Sequence, residues 1–169
     1  MKATVKLYSL PYSDIRTYCA AAMFVAGNIA LPQLFHLIPQ GGLIWLPIYF
    51  FTLIGAYKYG WKAGMLTAVL SPLANNLLFA MPATGMLPAI LLKSCLLAAG
   101  AGFAAARFQK VSLPILAAVV AFYQILGSAG EWLLTGSLDA ALQDFRTGVP
   151  GMLLQIFGGY LFIKHLIRK

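Results

Sequence analysis

Apolar residues run along this chain in blocks of about twenty, and polar residues collect in the short stretches between them. At about 1.5 Å per residue, a helical block of that length matches the hydrocarbon core of a bilayer. Six blocks fit, over 15–38, 43–59, 63–81, 86–108, 113–134 and 149–167. Pro39-Gln40-Gly41-Gly42 breaks the first from the second, and a short turn from Lys58 to Lys62 leads into the third. Pro82-Ala83-Thr84-Gly85 is a tight turn by its proline and glycine content. Only the connector from Thr135 to Gly148 is long, and no repeat, low-complexity tract or domain boundary interrupts the pattern. The expectation is one all-α integral membrane domain over 1–169, a six-helix transmembrane bundle.

Composition agrees. The chain is 61% hydrophobic and 9% charged with a mean hydropathy of +0.83, too apolar for a soluble domain of this size. A formal charge of +8 would fit a nucleic-acid partner, but the basic residues stand singly beside apolar runs, with no polar domain to present them. They read as membrane-flanking anchors and orientation signals facing lipid headgroups, and no nucleic-acid partner is expected. Cys19 and Cys95 fall inside expected spans, so a disulfide framework is not expected. Met1 to Arg16 are polar and lack a cleavage pattern, so no removable signal peptide is expected.

Lysine and arginine placement gives an orientation, because positively charged connectors stay in the cytoplasm. Lys2, Lys6 and Arg16 precede the first span, Lys58 and Lys62 separate the second and third, Arg107 and Lys110 separate the fourth and fifth, and Lys164, Arg168 and Lys169 end the chain. All of these fall on one side of an even-numbered bundle. The opposite connectors hold only Arg146, accompanied by Asp139 and Asp144, which read as solvated. Both termini are therefore expected in the cytoplasm.

Lys93 and Glu131 stand apart as opposite charges deep inside apolar spans, where an ionisable group is costly and normally faces a protein interior. Counted from the span ends, Lys93 lies roughly 10 Å below the outer end of the fourth span and Glu131 about a turn below that of the fifth. Asn75, Asn76 and Gln155 fall at similar depth in the third and sixth spans. Gln124, Ser128, Glu131 and Thr135 follow i, i+4, i+7, i+11 spacing and stack on one helical face. Two readings follow: polar groups from four helices line a cavity, or Lys93 and Glu131 only neutralise each other while the amides bond neighbouring helices. Convergence at one depth from four spans exceeds what helix association needs and favours the cavity. Trp132, Tyr123, Trp45 and Tyr160 could stack on a flat ligand, and Trp45 and Trp132 equally fit anchors at the outer membrane boundary.

Small residues form a second pattern. Ala22, Ala26 and Ala30 recur every four residues in the first span, Gly60, Gly64 and Ala68 do so at the start of the third, and Ala98 to Ala106 is nearly all alanine and glycine. Such faces let helix backbones approach closely, either within the bundle or against another membrane subunit. The catalytic inventory is poor: no HExxH, GxSxG or GxxxxGK[ST] occurs, so metal hydrolysis, serine acyl transfer and ATP binding lack their usual parts. His36 and His165 read as boundary residues and Cys95 as core packing, so no metal site is expected.

The order of these features resembles the S components of energy-coupling factor (ECF) vitamin transporters. The resemblance spans essentially the whole chain: the Ala22/Ala26/Ala30 ladder, Leu31-Pro32 through Pro39-Gln40-Gly41-Gly42 to Leu46-Pro47, Gly60-x-x-x-Gly64, Ser71-Pro72-Leu73-Ala74-Asn75-Asn76, then Leu87-Pro88-Ala89 and Lys93. It implies a non-enzymatic, substrate-binding subunit of an ABC-type importer in the prokaryotic cytoplasmic membrane. Such a subunit captures a small vitamin-like nutrient from outside and delivers it with a membrane coupling subunit and two cytoplasmic ATPases. ATP is used by those partners, and no cofactor is expected in this chain. The resemblance also implies that Ala22, Ala26 and Ala30 meet the coupling subunit. It implies a pocket among the last three helices and the loop after the first, regions that contain Gln40, Lys93, Gln124, Glu131, Trp132, Arg146 and Gln155. Two other classes remain open: a small membrane enzyme with Glu131 as general acid or base, and an assembly subunit without ligand.

The topology is directly testable. In a background lacking Cys19 and Cys95, Cys at Ser137 should react with a membrane-impermeant thiol reagent on intact cells, and Cys at Ser112 only after permeabilisation. Reversed labelling would place Lys93 and Glu131 in the cytoplasmic half and remove the outward-facing pocket.

Overall fold

The computed structural model describes residues 7–167, so Lys2, Lys6, Arg168 and Lys169 lie outside it. Among the described residues the chain is helical with no strand. Its elements are α1 (Ile15–Phe35), α2 (Gly41–Trp45), a 3-10 turn (Pro47–Tyr49), α3 (Phe50–Tyr59), α4 (Trp61–Phe79), a 3-10 turn (Thr84–Met86), α5 (Leu87–Phe108), α6 (Leu113–Thr135), α7 (Leu138–Thr147), α8 (Val149–Leu153), a π turn (Leu154–Gly158) and α9 (Gly159–Ile167). Three segments, Ile15–Phe35, Thr84–Phe108 and Leu113–Thr135, are long and apolar enough to cross a bilayer, as expected of a membrane protein.

One block and one connector depart from the sequence expectation. The stretch 43–59 is not one helix: Leu46 adopts a left-handed conformation (φ 45, ψ 47), and Pro47 restarts the chain as a 3-10 turn. A residue before proline is disfavoured in the right-handed helical region, which breaks the segment and leaves α3 with ten residues. The connector 135–148 is likewise no loop. It holds α7, capped by the Ser137 hydroxyl, which accepts from Ala140 N at 3.2 Å.

The described lysines and arginines divide between the two ends of the bundle, Lys93 excepted. Tyr8 N donates to Lys58 O at 2.8 Å, Leu10 N to Tyr59 O at 3.2 Å, and Tyr57 Oη to Lys110 O at 2.5 Å. The rings of Tyr12 and Trp61 meet edge to face, and His165 lines the same pocket as Lys58. This end therefore gathers Arg16, Lys58, Lys62, Arg107, Lys110 and Lys164. At its exposed rim Asp14 caps α1, and its hydrogen bonds from Arg16 hold its carboxyl below the usual carboxylate range. The opposite end is built from α2, the α4–α5 turn, α7 and α8, where a Cβ at Gly151 would strike the Trp45 backbone.

Helix α5 lies at the centre, packed against α3, α4 and α6. The core is Leu53, Ile54, Tyr57, Leu97, Leu116 and Val120, all essentially inaccessible, with the alanines of α5 between them. The small faces serve different purposes. A Cβ at Gly64 would collide with the Ala56 backbone, and one at Gly102 with Trp61, so those patterns pack α4 against α3 and α5. Ala22, Ala26 and Ala30 are instead exposed on the outside of α1, whose inner face carries Ala20, Phe24 and Asn28.

Asn28 knits α1, α3 and α4 together. Its Nδ2 donates to Thr52 Oγ1 (3.0 Å) and Ser71 Oγ (3.2 Å), and its Oδ1 accepts from Phe51 N (3.1 Å) in the first turn of α3, where backbone donors lack helical partners. Pro32 has no N–H to give the Asn28 carbonyl, and Asn75 Nδ2 fills that place at 2.9 Å.

The helix contacts make a contrast that detergent unfolding can read. Gly64→Ala should lower stability by about 1–3 kcal/mol, because the methyl group meets rigid backbone, whereas Gly85→Ala, facing open space, should change it by less than about 0.5 kcal/mol.

Candidate functional site

Lys93 and Glu131 meet as their placement suggests, and a third charge joins them. Lys93 Nζ lies 2.6 Å from Glu131 Oε2 and 2.8 Å from Asp144 Oδ2. The side chains are 4%, 11% and 12% exposed, so one ammonium and two carboxylates are nearly withdrawn from water among apolar helices. Asp144 was expected to be solvated in the long connector. Instead α7 folds back against α6 and α2 and carries the carboxylate inward, while Asp139 on the same helix stays exposed.

Each element contributes for a local reason. Lys93 reaches the carboxylates across Gly127 of α6, where an added Cβ would strike its Cγ. Gln124, Ser128 and Glu131 share the buried face of α6 that the i, i+4, i+7 spacing describes. Thr135 ends that stripe, exposed and with its hydroxyl turned back onto Glu131 O at 2.8 Å. In the last helical stretch the π turn brings Gln155 fully inside, the kind of local insertion found often at functional sites.

A polar relay lies beside the charges. Tyr123 Oη donates to Gln155 Oε1 at 2.8 Å and accepts from Gln124 Nε2 at 3.0 Å. Tyr49 packs on Tyr123, with ring centroids 5.4 Å apart. Gln124 Oε1, Gln155 Nε2, Ser128 Oγ and Ser94 Oγ are buried without a protein partner. Buried polar atoms are nearly always paired, so this cluster keeps hydrogen-bonding capacity for a water or a ligand.

The other sequence candidates lie elsewhere. Gln40 and Asn75 line a separate cavity of about 380 Å³, bounded by the end of α1, the 38–43 connector, Pro47-Ile48 and the α4–α5 turn. Asn75 leaves its Oδ1 unpartnered there, while its Nδ2 is used by Asn28 O and Ser71 O. Ile90 of α5 also lines this cavity, one turn from Lys93. Asn76 fastens the α4–α5 turn by donating to Pro82 O at 2.7 Å. Trp132 is half exposed, and Arg146 is exposed and bound to Asp139 at 2.9 Å. Trp45 stacks on Phe35, and Tyr160 lies under Lys164.

Sequence reasoning missed Asp144, Tyr49 and Asn28. The available signal for Asp144 was its place three residues from Ala141 in a helix-compatible stretch, which puts both on one face. No group of three or more His, Cys, Asp or Glu suited to a metal occurs among the described residues. The arrangement can hold charge and donate or accept hydrogen bonds in a dry setting. Neither a protein-family model nor a curated protein nor a solved structure matches this chain.

Lys93 now balances two carboxylates, which sets the expected cost of removing it. Lys93→Ala should destabilise the purified protein by about 3–5 kcal/mol, because two buried anions lose their counter-ion. Adding Glu131→Gln and Asp144→Asn should restore most of that loss, since no unpaired charge then remains. Thermal unfolding of the three proteins in one detergent checks both statements.

Proposed function

We propose that this chain is the substrate-binding S component of an ECF-type importer in a prokaryotic cytoplasmic membrane, taking up a small vitamin-like nutrient. In this reading it crosses the bilayer six times with both termini inside. The second passage is the interrupted run Gly41–Tyr59, and the sixth is the run Val149–Ile167. The basic end lies in the cytoplasm, in keeping with the tendency of positively charged connectors to remain there. The polar centre then faces outward.

The observation that carries the reading is the buried cluster of Lys93, Glu131 and Asp144 beside Gln124 and Gln155, with polar atoms left unpaired in an otherwise apolar body. Charged groups at membrane depth are costly to keep and usually mark a pathway or a ligand site. Glu131 is engaged by Lys93, which suits recognition better than proton transfer. The exposed Ala22/Ala26/Ala30 ladder supports docking of a coupling subunit, because small side chains allow close helix approach. The Asp144 carboxylate on α7 adds a residue that the resemblance did not supply.

Two experiments test the proposal. Native mass spectrometry of the detergent-purified chain should show a bound small nutrient, and the chain should co-purify with a coupling subunit and an ATPase pair. Ala26→Trp should abolish uptake and co-purification while leaving ligand binding by the solitary chain within about twofold, since the added ring blocks helix approach on an exposed face. A variant that still assembles and transports normally would refute the docking role.

A further inference from the structure

We infer that the ligand of this polar centre carries a positive charge, an ammonium or amidinium-type group received between Glu131 and Asp144. The inference rests on the reading of the centre as a binding site and adds the chemical class of what it binds.

Charge balance is the first argument. One ammonium faces two carboxylates, all nearly buried, so the cluster holds one negative charge in excess. A cation entering the site brings the local sum to zero. An anion that displaced Asp144 from Lys93 would leave the excess unchanged and would also place its own charge beside Glu131. Unpaired buried charge is among the costliest features a protein can carry, so the neutralising ligand is the one that stabilises the site.

Hydrogen-bonding capacity points the same way. Lys93 engages Oε2 of Glu131 and Oδ2 of Asp144, which leaves Oε1 and Oδ1 as acceptors. On the face of α6 that carries Glu131, Ser128 Oγ lies one turn below, and Gln124 Oε1 lies beyond it, both buried and unpartnered. The Tyr123 hydroxyl has one hydrogen to donate and so serves only one of the two flanking amide oxygens, and whichever way the amides are turned the other oxygen remains an acceptor. The two carboxylates can only accept, which suits a ligand group with several N–H bonds and no acceptor of its own, while Gln155 Nε2 stays free as a donor to the rest of the ligand. Both carboxylates keep slightly more exposure than Lys93.

The test uses probes that share one skeleton and differ in charge. The detergent-purified full chain is titrated at pH 7 with phenethylamine, 2-phenylethanol and 3-phenylpropionate, and binding is read by calorimetry and thermal shift. The amine should bind at least about tenfold more tightly than the alcohol, and the carboxylate should not bind. Equal response to amine and alcohol, preference for the carboxylate, or no response to any of the three overturns the inference. Asp144→Asn keeps an acceptor for Lys93 but removes the excess charge, so amine affinity should fall about tenfold or more. Gln124→Ala, which leaves the charges in place, should also weaken the amine and serves if the first variant does not fold. Wild-type amine affinity in a folded variant counts against the site. An anionic nutrient recovered from the purified chain would sink the cation inference while leaving the importer reading intact. Failure to join an ATPase pair would sink the importer reading without touching the charge result.

Discussion

A single ammonium held between two carboxylates inside an apolar helical body constrains the rest of the structure. Each of these ions would be expensive alone, and together they are tolerable only at hydrogen-bonding distance. That requirement fixes α5 against α6, where Gly127 gives the lysine stem room to pass. It also fixes α7, a short segment with exposed Leu138, Asp139, Phe145 and Arg146, by drawing Asp144 inward from its buried side. The longest connector of the chain is thereby part of the polar centre.

Polar groups elsewhere in the interior do different work. Asn28 spends its whole side chain on Thr52, Ser71 and the start of α3, and its carbonyl, freed by Pro32, is filled by Asn75. That cluster is nearly complete in its hydrogen bonds, as expected of groups whose task is to hold helices together. The cluster around Tyr123 is incomplete on both flanks. Around Asn28 only Asn75 Oδ1 lacks a partner, whereas several polar atoms around Tyr123 do, and that contrast supports the proposal of a ligand site at the second cluster.

The same contrast applies to small residues. Gly64 and Gly102 are consumed by internal helix contacts, while Ala22, Ala26 and Ala30 are exposed, the first two beside Leu66 and Leu70 of α4. An apolar exposed strip is unremarkable against lipid, and its value to the proposed function lies in allowing another helix to come close. Internal contacts hold the bundle, and the outer strip is available to a partner.

The sequence by itself determined that the chain is helical and suited to a membrane, because runs of apolar residues and the placement of prolines and glycines act locally. It also made Lys93 and Glu131 conspicuous, and the stripe Gln124, Ser128, Glu131 could be drawn from helical spacing alone. Only the tertiary structure decided the rest. Leu46 breaks the second block because Pro47 acts on its neighbour against a strong apolar run, a contest that hydropathy does not register. Asn75 and Asn76 sit at the right depth yet are turned to Asn28 and to Pro82, since depth does not specify which face a neighbour covers. Arg146 and Asp144 lie two residues apart on α7 and part company, one outward to Asp139 and one inward to Lys93, because residues at that spacing on a helix point to different sides. The partner of a buried charge is set by the packing of distant segments, and that is information no local pattern carries.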